Sequence, residues 1–233
     1  MILYGRNPVR EALRGRRRVE RVWATDAAAG EPWLEGRAKV VAAADLEALC
    51  GSAEHQGVCA DAGDYPYADA DALLEAEDAL VLVLDEVQDP HNLGAVCRVA
   101  ETAGCAGVVI PERRSAAVTP AACKASAGAV EHLAVARVRN VADWLGLAKR
   151  AGAWVYGADA EAAVPYDAPD YSGRVVLVLG SEGRGIRPRV RSLCDELIAL
   201  PVRGRVGSLN VSAAASALVY GILHQRGGVD RAP

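Results

Sequence analysis

Three short segments of this chain hold residues whose types and spacing could do chemistry. The first, Asp85-Glu-Val-Gln-Asp-Pro-His-Asn-Leu-Gly-Ala-Val-Cys-Arg98, carries a side-chain amide at Asn92 and a guanidinium at Arg98. Asp89-Pro90 forces a turn, and Asn92 is placed to cap a helix that begins with Leu93. A helix entered straight from a strand aims backbone N–H groups and a partial positive charge at whatever binds there. Arg98 could serve such a ligand, or simply pair with Glu101 one turn on. The second segment, Gly180-Ser-Glu-Gly-Arg-Gly185, strands Glu182 among three glycines. Its order is neither the dinucleotide fingerprint nor a phosphate loop, which would need Gly-Lys-Ser/Thr. The glycines let backbone approach a ligand closely, although a tight turn explains them equally well. The third, Leu200-Pro-Val-Arg-Gly-Arg-Val-Gly-Ser-Leu-Asn210, offers both Ser208 and Asn210 for one helix-cap position. Spacing alone names no reaction.

The elements around these segments predict how they meet. Leu80–Leu84 and Val175–Leu179 are continuous apolar runs, as expected of strands covered on both faces. Further strands are expected at Gly107–Ile110, His132–Val138, Trp154–Gly157 and Glu196–Leu200. Helices are expected at Leu93–Ala103, Ala121–Ala127, Val141–Ala151 and near Pro188–Leu193. Val211, Ala214, Ala215, Leu218, Val219 and Ile222 recur at helical spacing and give a final helix one buried face. This alternation predicts a mostly parallel α/β sheet with helices on both sides. Ligands in such sheets sit beyond the carboxyl ends of strands, where all three segments fall. Ahead of this lies a smaller α/β unit. It comprises a helix at Asn7–Arg14 with Asn7 as cap, strands at Arg21–Thr25, Lys39–Ala43 and Val58–Ala60, and a helix at Asp45–Cys50. The division expected is a small unit at 1–65, a linker at 66–78 with Pro66 and many acids, and a larger unit at 79–233.

Composition removes several classes. With 52% hydrophobic and 24% charged residues in 233, the chain has ample apolar surface to fold. No apolar run approaches a membrane span, and the start shows no secretory signal, so a cytoplasmic address is expected. The six cysteines show no Cys-x-x-Cys or His spacing for zinc, so no metal is expected. The net charge of −4 is unevenly spread. Residues 1–23 hold seven Arg against Glu11 and Glu20; residues 45–86 hold twelve acids and no Lys or Arg. Two separate arginine patches, 1–23 and 184–205, suit local contact with a polyanion.

Asn92-Leu-Gly-Ala-Val-Cys-Arg98, Gly180-Ser-Glu-Gly-Arg-Gly185 and Leu200-Pro201…Ser208-Leu-Asn-Val-Ser212 resemble, in order, the three motifs of the SpoU/TrmH family of RNA 2′-O-ribose methyltransferases. The likeness runs through about Leu80–Arg226. Tyr4-Gly5-Arg6-Asn7-Pro8-Val9 and His55-Gln56-Gly57-Val58 resemble the small L30e-like RNA-binding domain of the subgroup that methylates 23S rRNA guanosine. The resemblance implies a trefoil-knotted (SPOUT-type) α/β methyltransferase domain, S-adenosylmethionine as cofactor, and a homodimer whose active site spans the interface. It carries cofactor contacts onto Gly180, Leu200 and Leu209, with Leu179, Ile198 and Ser208 adjacent. It carries catalytic or positioning roles onto Asn92, Arg98, Glu182, Ser208 and Asn210. A guanidinium stays protonated in proteins, so Arg98 suits phosphate binding and alkoxide stabilisation better than proton abstraction. Glu182 is the alternative base. The expected substrate is a guanosine of 23S rRNA, with tRNA or a different rRNA site the runner-up because the N-terminal unit is short for the subgroup. A non-catalytic RNA-binding or ribosome-assembly protein of the same fold is the other class, and failure to bind S-adenosylmethionine would mark it.

Overall fold

The computed structural model describes residues Met1–Gly227; positions 228–233 of the expected larger unit lie outside the described residues. In the N-terminal unit, β1 (Ile2–Tyr4), β2 (Val19–Ala24), β3 (Ala38–Val40) and β4 (Val58–Ala62) form one sheet. Its order is β1-β4-β2-β3, and only β2 and β3 run parallel. Around it lie α1 (Arg6–Arg14), α2 (Asp26–Ala29) and α3 (Ala43–Cys50). Several details differ from the sequence reading: α2 was not expected, and the strand expected at Lys39–Ala43 ends at Val40, with Ala43 opening α3. The cap of α1 is Gly5 at φ 95°, not Asn7. β1 was not expected, because three residues are too few for a period of two to show.

The larger sheet holds β5 (Leu80–Asp85), β6 (Gly107–Pro111), β7 (Val135–Val138), β8 (Trp154–Ala158), β9 (Val164–Pro165), β10 (Val175–Gly180) and β11 (Glu196–Ala199). Their order is β7-β6-β5-β10-β8-β11-β9, with every pair parallel. Its helices are α4 (Pro90–Thr102), α5 (Pro120–Ala125), α6 (Val141–Arg150), α7 (Pro188–Arg191) and α8 (Val211–Gln225). Leu80, Leu82 and Leu84 of β5 pack with α4, α5 and α8, while Val81 and Val83 pack with α6 and α7. The alternation of side chains along a strand thus feeds two cores, which explains the unbroken apolar run.

The stretch 66–78 is not a free tether. Ala68 bridges Ala136 beside the sheet, Leu73 and Leu74 are buried, and the Tyr67 hydroxyl accepts from Val118 N at 3.0 Å. Pro66 and the acids signal a loop, and the apolar pair among them does the packing. The two units share one continuous apolar cluster running from Leu3 and Val22 to Leu82 and Leu93. Arg17, in the middle of the basic segment, is buried against Glu131 of the larger unit at 2.7 Å. It is therefore unavailable to a polyanion. All six cysteines are free, and burial pushes the Cys105 and Cys123 thiols up to about 12, so they act as small hydrophobes.

Candidate functional site at the ends of the central strands

β5 and β10 are the central neighbours, with Asp85 opposite Gly180 at their carboxyl ends. From β5 the chain proceeds to β6 and β7 on one side; the other side is filled by β8, β11 and β9. This reversal is a switch point, the place where open parallel sheets receive ligands.

The glycine segment is held there by two devices. Ser181 and Gly185 exchange backbone hydrogen bonds at 3.2 and 2.9 Å, closing a hairpin that turns through Gly183 at φ 78°. A Cβ on Gly180 would lie 2.1 Å from the Gly185 carbonyl carbon, so this glycine serves the loop's fold on itself. The far end is pinned by the fully buried Asp85. Its Oδ1 accepts from Arg187 Nε and Nη2 at 2.8 and 2.6 Å, and its Oδ2 accepts from the Arg187 backbone N at 2.9 Å. Those hydrogen bonds hold the Arg187 guanidinium above its ordinary pKa.

The cap of α4 is Asp89, whose Oδ1 accepts from His91 N at 2.8 Å, with Pro90 in the first turn. Asn92, expected as the cap, is thereby released for another task. Its Nδ2 donates to Glu182 Oε1 at 2.9 Å, and its Oδ1 accepts from Asn210 Nδ2 at 3.0 Å. Asn210 Nδ2 also reaches Glu182 Oε1, at 2.6 Å. Asn210 Oδ1 meanwhile caps α8 by accepting from Ser212 N at 2.9 Å. One residue from each segment meets in this triangle.

Two cavities flank it. A cleft of about 440 Å³ lies beyond β8, β10 and β11, and Leu179, Gly180, Ile198, Leu200, Ser208 and Leu209 all line it. Ala158–Glu161, also in its wall, was missed by sequence reasoning, although it follows a strand end like the other three segments. A smaller cavity of about 280 Å³ is lined by Glu86, Gln88, Asp89 and Asn92. Ser181, Glu182 and Arg184 belong to both and form the dividing wall. Glu182 Oε2 has no partner among the described residues. Two expected residues stand apart from the triangle. Ser208 is exposed and makes no cap. Arg98 is exposed, lines neither cavity, and has no carboxylate partner among the described residues, so the pairing with Glu101 does not form.

Residues 79–220 match the model of the SpoU rRNA methylase family. The chain belongs to this family. Residues 2–68 match a second model, RNA 2′-O ribose methyltransferase substrate binding. Among relatives of this SpoU protein, YacO of Bacillus subtilis (strain 168) bears the name of the TrmH family of tRNA/rRNA methyltransferases. It is 38% identical over 243 residues, covering 97% of this chain and 96% of its own. A Staphylococcus aureus (strain MSSA476) relative with the same family name is 42% identical over 180 residues, covering 75% and 73%. The SpoU methyltransferase AviRb of Streptomyces viridochromogenes, solved in complex with the cofactor AdoMet, superposes with a TM-score of 0.83. That alignment covers 97% of this chain and 90% of AviRb at 24% identity, and it speaks for the fold. Among the described residues no helix is long and apolar enough to cross a membrane, and no cluster of His, Cys, Asp and Glu could hold a metal ion.

Proposed function

We propose that this SpoU family member transfers a methyl group from S-adenosylmethionine to a ribose 2′-hydroxyl in structured RNA, with a guanosine of 23S rRNA as the target. The observation that carries the reading is the Asn92–Glu182–Asn210 triangle on the wall between two cavities. The larger cleft suits the cofactor. Leu179, Ile198 and Leu209 offer an apolar slot for an adenine, beside backbone polar groups and the Glu161 carboxylate for hydroxyl and amino groups. The Asp159 carboxylate in the same wall is held by Arg191 and the Glu161 backbone N–H. Bound there, S-adenosylmethionine supplies an activated methyl group. The smaller cavity is left for the ribose. Asn92 and Asn210 hold Glu182 by one oxygen, and the free Oε2 can take the 2′-hydroxyl proton. Arg98 binds an RNA phosphate and stabilises developing alkoxide charge.

Arg98 lies outside both cavities of its own chain, and this supports a homodimer in which a second copy delivers it. Tyr220 on α8, 51% exposed with its hydroxyl on Thr102 of α4, is a side chain that such a copy would cover. The knotted threading belongs to the same reading and is carried by the family likeness. Within the same reading, 1–65 is the part that grips RNA, and 66–78, expected as a linker, packs with the larger unit that continues from 79.

The decisive experiment incubates the protein with labelled S-adenosylmethionine and rRNA or tRNA from a strain lacking it, then maps 2′-O-methylated nucleotides. Label in 23S rRNA guanosine supports the full reading, and label in tRNA or another nucleotide replaces the target. No transfer together with no cofactor binding would leave an RNA-binding protein of this fold.

A further inference from the structure

We propose that the buried Arg17–Glu131 ion pair is a positioning device for RNA, holding the basic turn of Arg16 and Arg18 at a fixed place relative to the methyl-transfer site. The inference rests on the function proposed above and assigns a role to residues outside its chemistry. Arg16 and Arg18 are exposed and have no carboxylate partner among the described residues, while Arg17 between them points inward. Its Nε and Nη2 donate to the two Glu131 oxygens at 3.1 and 2.7 Å, and both side chains are 2% exposed or less. The guanidinium also lies over the Tyr65 ring, 5.2 Å from its centre. Such a fork accepts one orientation only.

The rest of the seam leaves little slack. His132 Nε2 lies 3.0 Å from Glu11 Oε2, and Lys124 Nζ donates to the Glu54 carbonyl at 2.9 Å. The Tyr65 hydroxyl reaches the carbonyls of Val130 and Leu133. Glu131 stands in a short turn, Ala129–Glu131, packed on α4, whose first turn carries Asn92. Just ahead of that turn in the chain, α5 also packs on α4: a Cβ on Gly94 would lie 2.5 Å from the Ala122 carbonyl oxygen, so these two helices are in backbone contact. A continuous chain of packed contacts therefore joins the basic turn to the site. Phosphate contacts position RNA without reading sequence, and at a fixed spacing from the reacting hydroxyl they set register as well as affinity. The same arginines on a hinged unit would supply affinity alone. A buried ion pair is weak as a source of stability, which suits a role in geometry.

The test uses the full chain carrying Glu131→Gln, which keeps the shape and removes the charge, and Arg17→Lys, which keeps the charge and removes the fork. Small-angle scattering and thermal unfolding report the seam. S-adenosylmethionine titration reports the cofactor site, and methylation of a structured rRNA fragment reports the outcome. Glu131→Gln should bind cofactor normally, raise the KM for RNA by about tenfold and change kcat less. Arg17→Lys should fall between it and wild type. Replacing Arg16 and Arg18 by Ala should cost less RNA affinity in the Glu131→Gln background than in wild type. Equal costs in both backgrounds, or a wild-type KM in a folded Glu131→Gln protein, would overturn the proposal. If that variant does not fold, Tyr65→Phe loosens the same seam by removing the one hydroxyl donor that the Val130 and Leu133 carbonyls share, and is read the same way. If the wild type methylates no RNA, the proposed function fails. The coupling measured by RNA binding alone then still decides this inference.

Discussion

Asn92 shows how a single hydrogen-bond donor separates a structural role from a functional one. Because Asp89 caps α4, Asn92→Ala should leave the helix intact, whereas Asp89→Ala should cost about 1 kcal/mol. Methyl transfer should respond in the opposite order, falling steeply in Asn92→Ala, where Glu182 loses one of its two amide donors. Urea unfolding and single-turnover assays on the two variants make the comparison. A cap-like loss of stability in Asn92→Ala with full turnover would return it to a structural residue. For Arg98 the expectation is sharper, because its exposed guanidinium has no acidic partner among the described residues. Arg98→Ala should change stability by no more than about 0.5 kcal/mol. Turnover should fall on the order of a hundredfold, and Arg98→Lys should recover little, since lysine lacks the planar fork.

At the scale of elements, the glycine loop is a folded hairpin bolted to β5. An Ala or Val at Gly180 would drive its Cβ into the Gly185–Ile186 backbone, at 2.1 to 2.4 Å, before meeting any ligand. Gly180→Ala should therefore cost about 2–3 kcal/mol as well as cofactor affinity. Calorimetric unfolding alongside cofactor titration checks this; weakened binding at wild-type stability would instead put the ligand itself against Gly180. Leu209 is a cleaner probe of the cleft. It is 53% exposed, so Leu209→Ala should lower cofactor affinity with little change in stability.

At the scale of the molecule, the question is which surfaces of one chain complete the site of another. If Arg98 acts across a two-fold interface, mixing inactive Arg98→Ala with inactive Glu182→Ala should restore activity. Half the dimers would then be mixed, each with one intact composite site, so about a quarter of wild-type turnover is expected. No recovery from a mixture shown by mass spectrometry to exchange subunits would place Arg98 within its own chain's site. Tyr220→Asp, on the exposed flank of α8, should yield monomers by analytical ultracentrifugation and abolish transfer.

By itself the sequence determined the parallel α/β class, the two central strands and the final helix. In these elements apolar residues recur at the period of a strand or helix, and burial follows from that pattern. Its three motifs also named the residues that gather at the strand ends, because backbone connectivity alone carries a strand into its following loop. Tertiary structure decided what those residues do there. On paper Asn92 reads as a cap, and only the Asp89 side chain on His91 N and the position of Glu182, ninety residues later in the chain, show that it is free for another task. Arg17 looks like its neighbours Arg16 and Arg18 until Glu131 comes beside it across the seam. Residues 66–78 look like a tether until the larger sheet offers their apolar side chains a place to pack. In each case the missing information is a contact distant in sequence, which local periodicity and residue type do not encode.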